Sequence, residues 1–147
     1  SAENFDRLID VVSEIRTTSQ ALSEHYKGKL ELLYGDDSLV NDNPLLVQYL
    51  GRLAAVNPCE GQPRGLRLAL ANHDLYFDVS SEVISKYRSD LEERILAVGR
   101  ELDGLNARMM NPNYVEKAPA GLVKETRDAI AEKEKLISDL KKQLEVI

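Results

Sequence analysis

Arg108, Lys117 and Lys124, with Met109, Met110 and Tyr114 among them, form the one stretch of this sequence where residue types suggest a ligand. Between residues 104 and 124 three cations face a single acid, Glu116, a local balance of three minus one, or +2. The chain around them is acidic: 147 residues carry 19 Lys and Arg against 25 Asp and Glu, a net charge of −6. Cations interleaved with apolar and aromatic side chains suit nucleic acid, where charge meets phosphate and flat groups meet exposed bases. The same residues also describe a solvated tip with a small apolar cap, and spacing alone does not choose.

Other chemistries find no support. There is no Gly-x-Ser-x-Gly, no phosphate loop of the Gly-x-x-x-x-Gly-Lys type and no spaced Cys pair. Cys59 is the single cysteine, so an internal disulfide is excluded, a reducing compartment fits, and no basic neighbour within two positions activates the thiol. With only His25 and His73 beside it, a Cys/His zinc site lacks ligands. Asp36, Asp37 and Asp42 look like a cation loop but lack the Gly and terminal Glu of an EF-hand, and read as a solvated acidic turn. No metal site is expected.

The elements that must position the basic stretch follow from periodicity. Phe5, Leu8, Ile9, Val12 and Ile15 have helical spacing. Residues 29–34 are a short apolar run closed by Gly35-Asp36-Asp37, read as a strand and turn. Asn43-Pro44 reads as a helix start, with Asn capping the free amides and Pro tolerated at the first position. Leu66/Leu68/Leu70 and Leu75/Phe77/Val79 alternate around Ala71-Asn72-His73-Asp74, which predicts a hairpin with one buried face. Residues 1–79 therefore read as a small α+β domain with an antiparallel sheet. They hold the acid excess, 7 basic against 12 acidic side chains.

From Ser80 the period changes. Leu91, Ile95, Val98, Leu102, Leu105 and Met109 alternate steps of four and three, as do Val123, Thr126, Ile130, Lys133, Ile137, Leu140, Leu144 and Ile147. That is an a/d seam on each of two helices. Pro112 and Pro119 break the chain between them. Residues 80–147 thus read as an antiparallel coiled-coil hairpin whose arms, ~45 Å long at 1.5 Å per residue, project from the head. Gly99 and Gly104 inside the first arm mark either close approach of the helices or a bend.

Residues 109–125, Met-Met-Asn-Pro-Asn-Tyr-Val-Glu-Lys-Ala-Pro-Ala-Gly-Leu-Val-Lys-Glu, resemble a hairpin pattern of the valyl-tRNA synthetase family. That pattern runs Leu-Ser-Asn-x-x-Phe-Val-x-Lys-Ala-Pro-x-x-Val-Val-x-x-Glu. Ile15-Arg16, residues 29–33 and residues 50–56 resemble upstream elements of the family in order. Tyr114 replaces the usual Phe, and Ser19 and His25-Tyr26 stand where the family often has a second Arg and a Pro-Pro. The resemblance implies a C-terminal appendage: the end of an anticodon-binding helical region, a small junction domain and a coiled-coil arm that holds the outer corner of tRNA.

The resemblance further implies a parent enzyme, a class I valine–tRNA ligase using ATP with magnesium. The family's His-Ile-Gly-His and Lys-Met-Ser-Lys-Ser motifs are absent, so these residues are expected to be non-catalytic and to need no cofactor of their own. Ser1-Ala2-Glu3-Asn4, lacking an initiator Met and a signal peptide, reads as the start of an excised or processed piece. The expected partners are tRNA, valine-specific by resemblance, and the rest of the synthetase, in the cytoplasm, as a monomer without a membrane. Arms ending near 110 and starting near 119 would put Arg100 level with residue 129, beside Arg127, both outside the seam. The expected tRNA-binding set is Arg100, Arg108, Tyr114, Lys117, Lys124 and Arg127. The competing reading is a non-catalytic coiled-coil protein–protein interaction module; Arg88, Thr126 and Lys133, which interrupt the seam, suit a solvated monomeric arm better. A seryl-type arm would instead precede its globular part.

Overall fold

The computed structural model describes residues 1–147. The elements are α1 (Ala2–Leu22), β1 (Glu31–Tyr34), α2 (Ser38–Asp42), α3 (Pro44–Gly51), β2 (Ala55–Pro58), β3 (Leu66–Arg67), β4 (Leu75–Phe77), α4 (Ser81–Met109), α5 (Pro112–Lys117) and α6 (Ala120–Glu145). The class is α+β, as expected. The chain divides into two compact units, Ser1–Arg88 with Val146–Ile147, and Ser89–Glu145. No helix is long and apolar enough to cross a membrane.

In the first unit the sheet order is β2-β1-β4-β3. β4 pairs antiparallel with both β1 and β3, which confirms the hairpin, and Asn72 takes a positive φ of 65° in its turn. The expectation of an antiparallel sheet needs one correction: β1 and β2 run parallel, with Leu32 opposite Val56. Parallel pairing needs a crossover rather than a turn, and α2 and α3 supply it. Leu32 and Leu33 point to opposite faces of β1 and both are buried, so both faces of the sheet are covered there. Tyr76 departs from the one-face pattern in the same way. Its hydroxyl donates to Asp74 Oδ1 at 2.6 Å, and the Arg67 guanidinium lies 5.8 Å from its ring centre. Burial first, and then that hydrogen bond, raise the Tyr76 hydroxyl above the ordinary tyrosine value.

α1 buries Leu8, Val11, Val12, Ile15, Thr18 and Leu22 and packs against α2 and α3. Gly51 makes the α3 contact possible, since a Cβ there would stand 3.1 Å from Ile15 Cγ2. α3 begins at Pro44 as expected, but Asn43 does not cap it through its side chain; its Nδ2 donates backwards to Leu39 O at 2.8 Å and closes α2 instead. The acidic turn is also not wholly solvated. Asp37 is buried, accepts from Val40 N at 3.1 Å as the cap of α2, and faces His73 Nδ1 at 2.6 Å.

In the second unit the seam is as read from spacing. Val98, Val123, Thr126 and Leu140 are buried, and Ile95, Leu102, Leu105, Met109, Ile130 and Ile137 are half-buried. α4 and α6 face one another along it over residues 89–109 of α4, roughly 30 Å at 1.5 Å per residue. Close approach does not account for Gly99 and Gly104, because a Cβ at either would meet nothing within 4 Å.

Candidate nucleic-acid interface

The breaker between the long helices is itself helical. Asn111 Oδ1 accepts from Asn113 N at 3.0 Å, Pro112 takes the first helical position, and α5 follows for six residues. α5 is then fixed to α6. Tyr114 Oη lies 2.7 Å from Thr126 Oγ1, and Thr126 Oγ1 donates to Leu122 O at 3.0 Å. Thr126, which looked like an interruption of the seam, is therefore a buried and satisfied seam residue. Lys133, the other interruption in α6, crosses to Glu101 of α4 as an ion pair at 2.5 Å.

That pair sets the register of the hairpin, and it differs from the even count from the tip. With Glu101 facing Lys133, Arg100 falls level with Glu134, whereas Arg127 falls level with Ala107 and Arg108. Arg100 and Arg127 do not share a height; seven residues of helix, about 10 Å, separate their levels. The cause is α5, whose six residues occupy what a bare turn would have left empty.

The six residues expected to meet tRNA lie in this unit as follows. Arg100, Arg108, Lys117 and Arg127 are exposed, and none forms an ion pair. Lys124 is exposed and reaches Asp128 only at 3.9 Å, with both side chains mostly in solvent. Such a pair contributes under about 1 kcal/mol and yields readily to a phosphate. Tyr114 is half-buried with its hydroxyl engaged, so it positions α5 as well as offering part of its ring. Arg108 and Lys117 sit in the last turns of α4 and α5. Met110, 82% exposed, and Leu122, 45% exposed, add an apolar surface beside these cations.

Sequence reasoning did not anticipate the capping role of Asn111 or the Tyr114–Thr126 link. The first was available as the same Asn-Pro signal used at Asn43-Pro44. The second pairs residues 12 apart across a helix boundary, and no periodicity marks it.

Comparison with known proteins bears directly on this unit. Residues 83–147 match the family model described as the valyl tRNA synthetase tRNA binding arm. A valine–tRNA ligase of Nostoc is 39% identical over 64 residues, covering 44% of this chain and 6% of the relative. A valine–tRNA ligase of Thermotoga maritima is 22% identical over 148 residues, 94% of this chain and 17% of the relative. One from Petrotoga mobilis is 21% identical over 155 residues, 97% of this chain and 17% of the relative. The chain thus spans between 6% and 17% of the length of these relatives. Residues 83–147 are thus similar to the valyl tRNA synthetase tRNA binding arm, and nearly the whole chain is similar to a stretch of valine–tRNA ligases.

Proposed function

We propose that this chain is the C-terminal tRNA-binding appendage of a valine–tRNA ligase, with residues 80–147 as the arm and residues 1–79 as the junction domain. The observation that carries the reading is the run of exposed cations without ion pairs, Arg108, Lys117 and Arg127, on the segment that matches the arm family. In an acidic chain, cations left without carboxylate partners are held ready for another anion. Guanidinium groups bind phosphate bidentately, and a ridge of them fixes a helical RNA without reading its sequence. Arg100 and Lys124 extend the ridge, and the ring of Tyr114 offers a flat surface to a base.

The parent enzyme would activate valine with ATP and magnesium and esterify a valine tRNA. The His-Ile-Gly-His and Lys-Met-Ser-Lys-Ser motifs that the resemblance ties to ATP are not among these residues. The role of these residues in that reaction is to place the tRNA, as a monomer in the cytoplasm together with the rest of the synthetase.

The competing reading, a protein–protein interaction module, has Leu96, 61% exposed and outside the seam, in its favour. Gel-shift titration of the chain against a valine tRNA and a non-cognate tRNA tests the proposal. Salt-sensitive binding of both, with or without preference for valine tRNA, is expected of an arm that grips the backbone. Absence of binding to either tRNA would favour the protein-interaction module.

A further inference from the structure

The seam between α4 and α6 has an ambiguity that apolar packing does not remove. On α4 it repeats every seven residues from Leu91 to Met109, and on α6 the repeat is the same. Sliding one helix by seven residues sets apolar residues against apolar residues again. A repeating seam specifies its register through a polar residue that breaks the repeat. α6 carries one charged seam residue, Lys133, between Ile130 and Ile137. Its side chain is only 29% exposed, and it reaches Glu101 of α4 at 2.5 Å.

The residues seven away from each partner decide what a slip would do. On α4 the equivalents of Glu101 are Arg94 and Arg108, both exposed and without an ion pair. That flank therefore alternates plus, minus, plus. On α6 the equivalents of Lys133 are Thr126 and Leu140, both buried, and the Thr126 hydroxyl is already committed to Tyr114 and Leu122. A slip one way puts Lys133 level with Arg108 and Glu101 level with Leu140. A slip the other way puts Lys133 level with Arg94 and Glu101 level with Thr126. Each brings two cations together and strands a carboxylate beside a residue with no charge to meet it. Of the three registers, the observed one alone pairs Lys133 with an acid. The choice matters at the tip, because seven residues of helix are about 10 Å. Arg108 on α4 would move by that distance relative to Lys124 and Arg127 on α6.

We propose that Lys133 is the register lock of the hairpin: it selects Glu101, is repelled by Arg94 and Arg108, and so holds the cations of α4 and α6 at fixed relative heights. For RNA it is a positioning residue that does not touch the ligand, and that part rests on the arm reading given above. A lysine in an apolar seam lowers stability in exchange for register. Replacing it with leucine therefore separates the two.

The test uses the whole chain with Cys59→Ser, Ala97→Cys and Ser138→Cys, and a nitroxide label on each new cysteine. Ala97 and Ser138 are exposed and lie at nearly the same level on α4 and α6. Electron–electron double resonance reads the register, thermal melting reads stability, and titration with a valine tRNA reads binding. One narrow distance is expected with Lys133 in place. Lys133→Leu is expected to leave the melting temperature unchanged or higher, yet to add a second distance and weaken tRNA binding about tenfold. Exchanging the charges, Glu101→Lys with Lys133→Glu, keeps the ion pair but lets the new glutamate meet a cation in all three registers, so the second distance is expected there too. Adding Arg94→Glu and Arg108→Glu to that exchange is expected to restore the single distance. A single narrow distance in Lys133→Leu or in the charge exchange overturns the proposal and assigns the register to the apolar seam or the short connection at the tip. So does a split distance that the full inversion leaves unrestored. Unchanged tRNA binding in a Lys133→Leu chain whose distance has split overturns the positioning role. Failure of the unaltered chain to bind tRNA, with the distances as expected, overturns the arm reading and leaves the register lock standing.

Discussion

Tyr114 and Thr126 share a hydrogen bond of 2.7 Å that ties the short helix at the tip to the second long helix. Thr126 also donates to Leu122 O, so its oxygen is satisfied twice within a buried seam. Tyr114→Phe removes one of those bonds and is expected to cost about 1 kcal/mol in urea unfolding. Thr126→Val is expected to cost a similar amount. The double variant is expected to lose less than the sum, because the second change removes a partner already orphaned. Strict additivity would show that the two residues act separately.

Gly99 and Gly104 have open space where a side chain would go. Each Gly→Ala change is therefore expected to stabilise the chain by up to about 1 kcal/mol, seen as a raised melting temperature. Gly65 is the contrast: at φ 89° its Cβ would collide with Phe77 O, so Gly65→Ala is expected to destabilise. A fall in melting temperature for Gly99→Ala would point to a bend that needs glycine.

Asp37 caps the first short helix of the head and faces His73 at 2.6 Å. Asp37→Ala removes both acceptors from a buried site and is expected to cost about 2 kcal/mol or more. Asp37→Asn keeps an oxygen for the cap and is expected to cost distinctly less. Equal losses for the two variants would mean that charge, rather than the cap, dominates.

Under the proposed arm function, replacing both Arg100 and Arg127 by Glu is expected to weaken tRNA binding and reduce its log–log salt slope by about 2. Stability is expected to stay within about 0.5 kcal/mol, since both side chains are exposed and make no ion pair. Unchanged binding with a lowered melting temperature would reassign them to structure and leave Arg108, Lys117 and Lys124 as the contact set.

The long helices were legible because one rule, the spacing of apolar residues, decides which side chains turn inward, and Val98, Val123 and Leu140 obey it without help from distant residues. The parallel partner of the first strand was not legible. Residues 55–58 carry no signal for direction, and their pairing depends on two intervening helices that bring the chain back the same way. The role of Asp37 was hidden for a related reason, as its partner lies 36 residues away. For the candidate site the sequence supplies the residue types proposed, and their register along the hairpin comes only from the structure. The position of Arg127 opposite Arg108 depends on a six-residue helix that the two prolines had marked only as a break.

The mixed sheet also governs how the chain can aggregate. An open sheet invites another strand at each margin, and natural proteins obstruct those margins with prolines and very short strands. Both devices are present: one margin is the strand that ends in Pro58, and the other is a strand only two residues long. Neither offers a row of free amides long enough to template an incoming strand. Fibril-like stacking through this sheet is disfavoured, and the surfaces left for meeting another molecule are helix faces and loops.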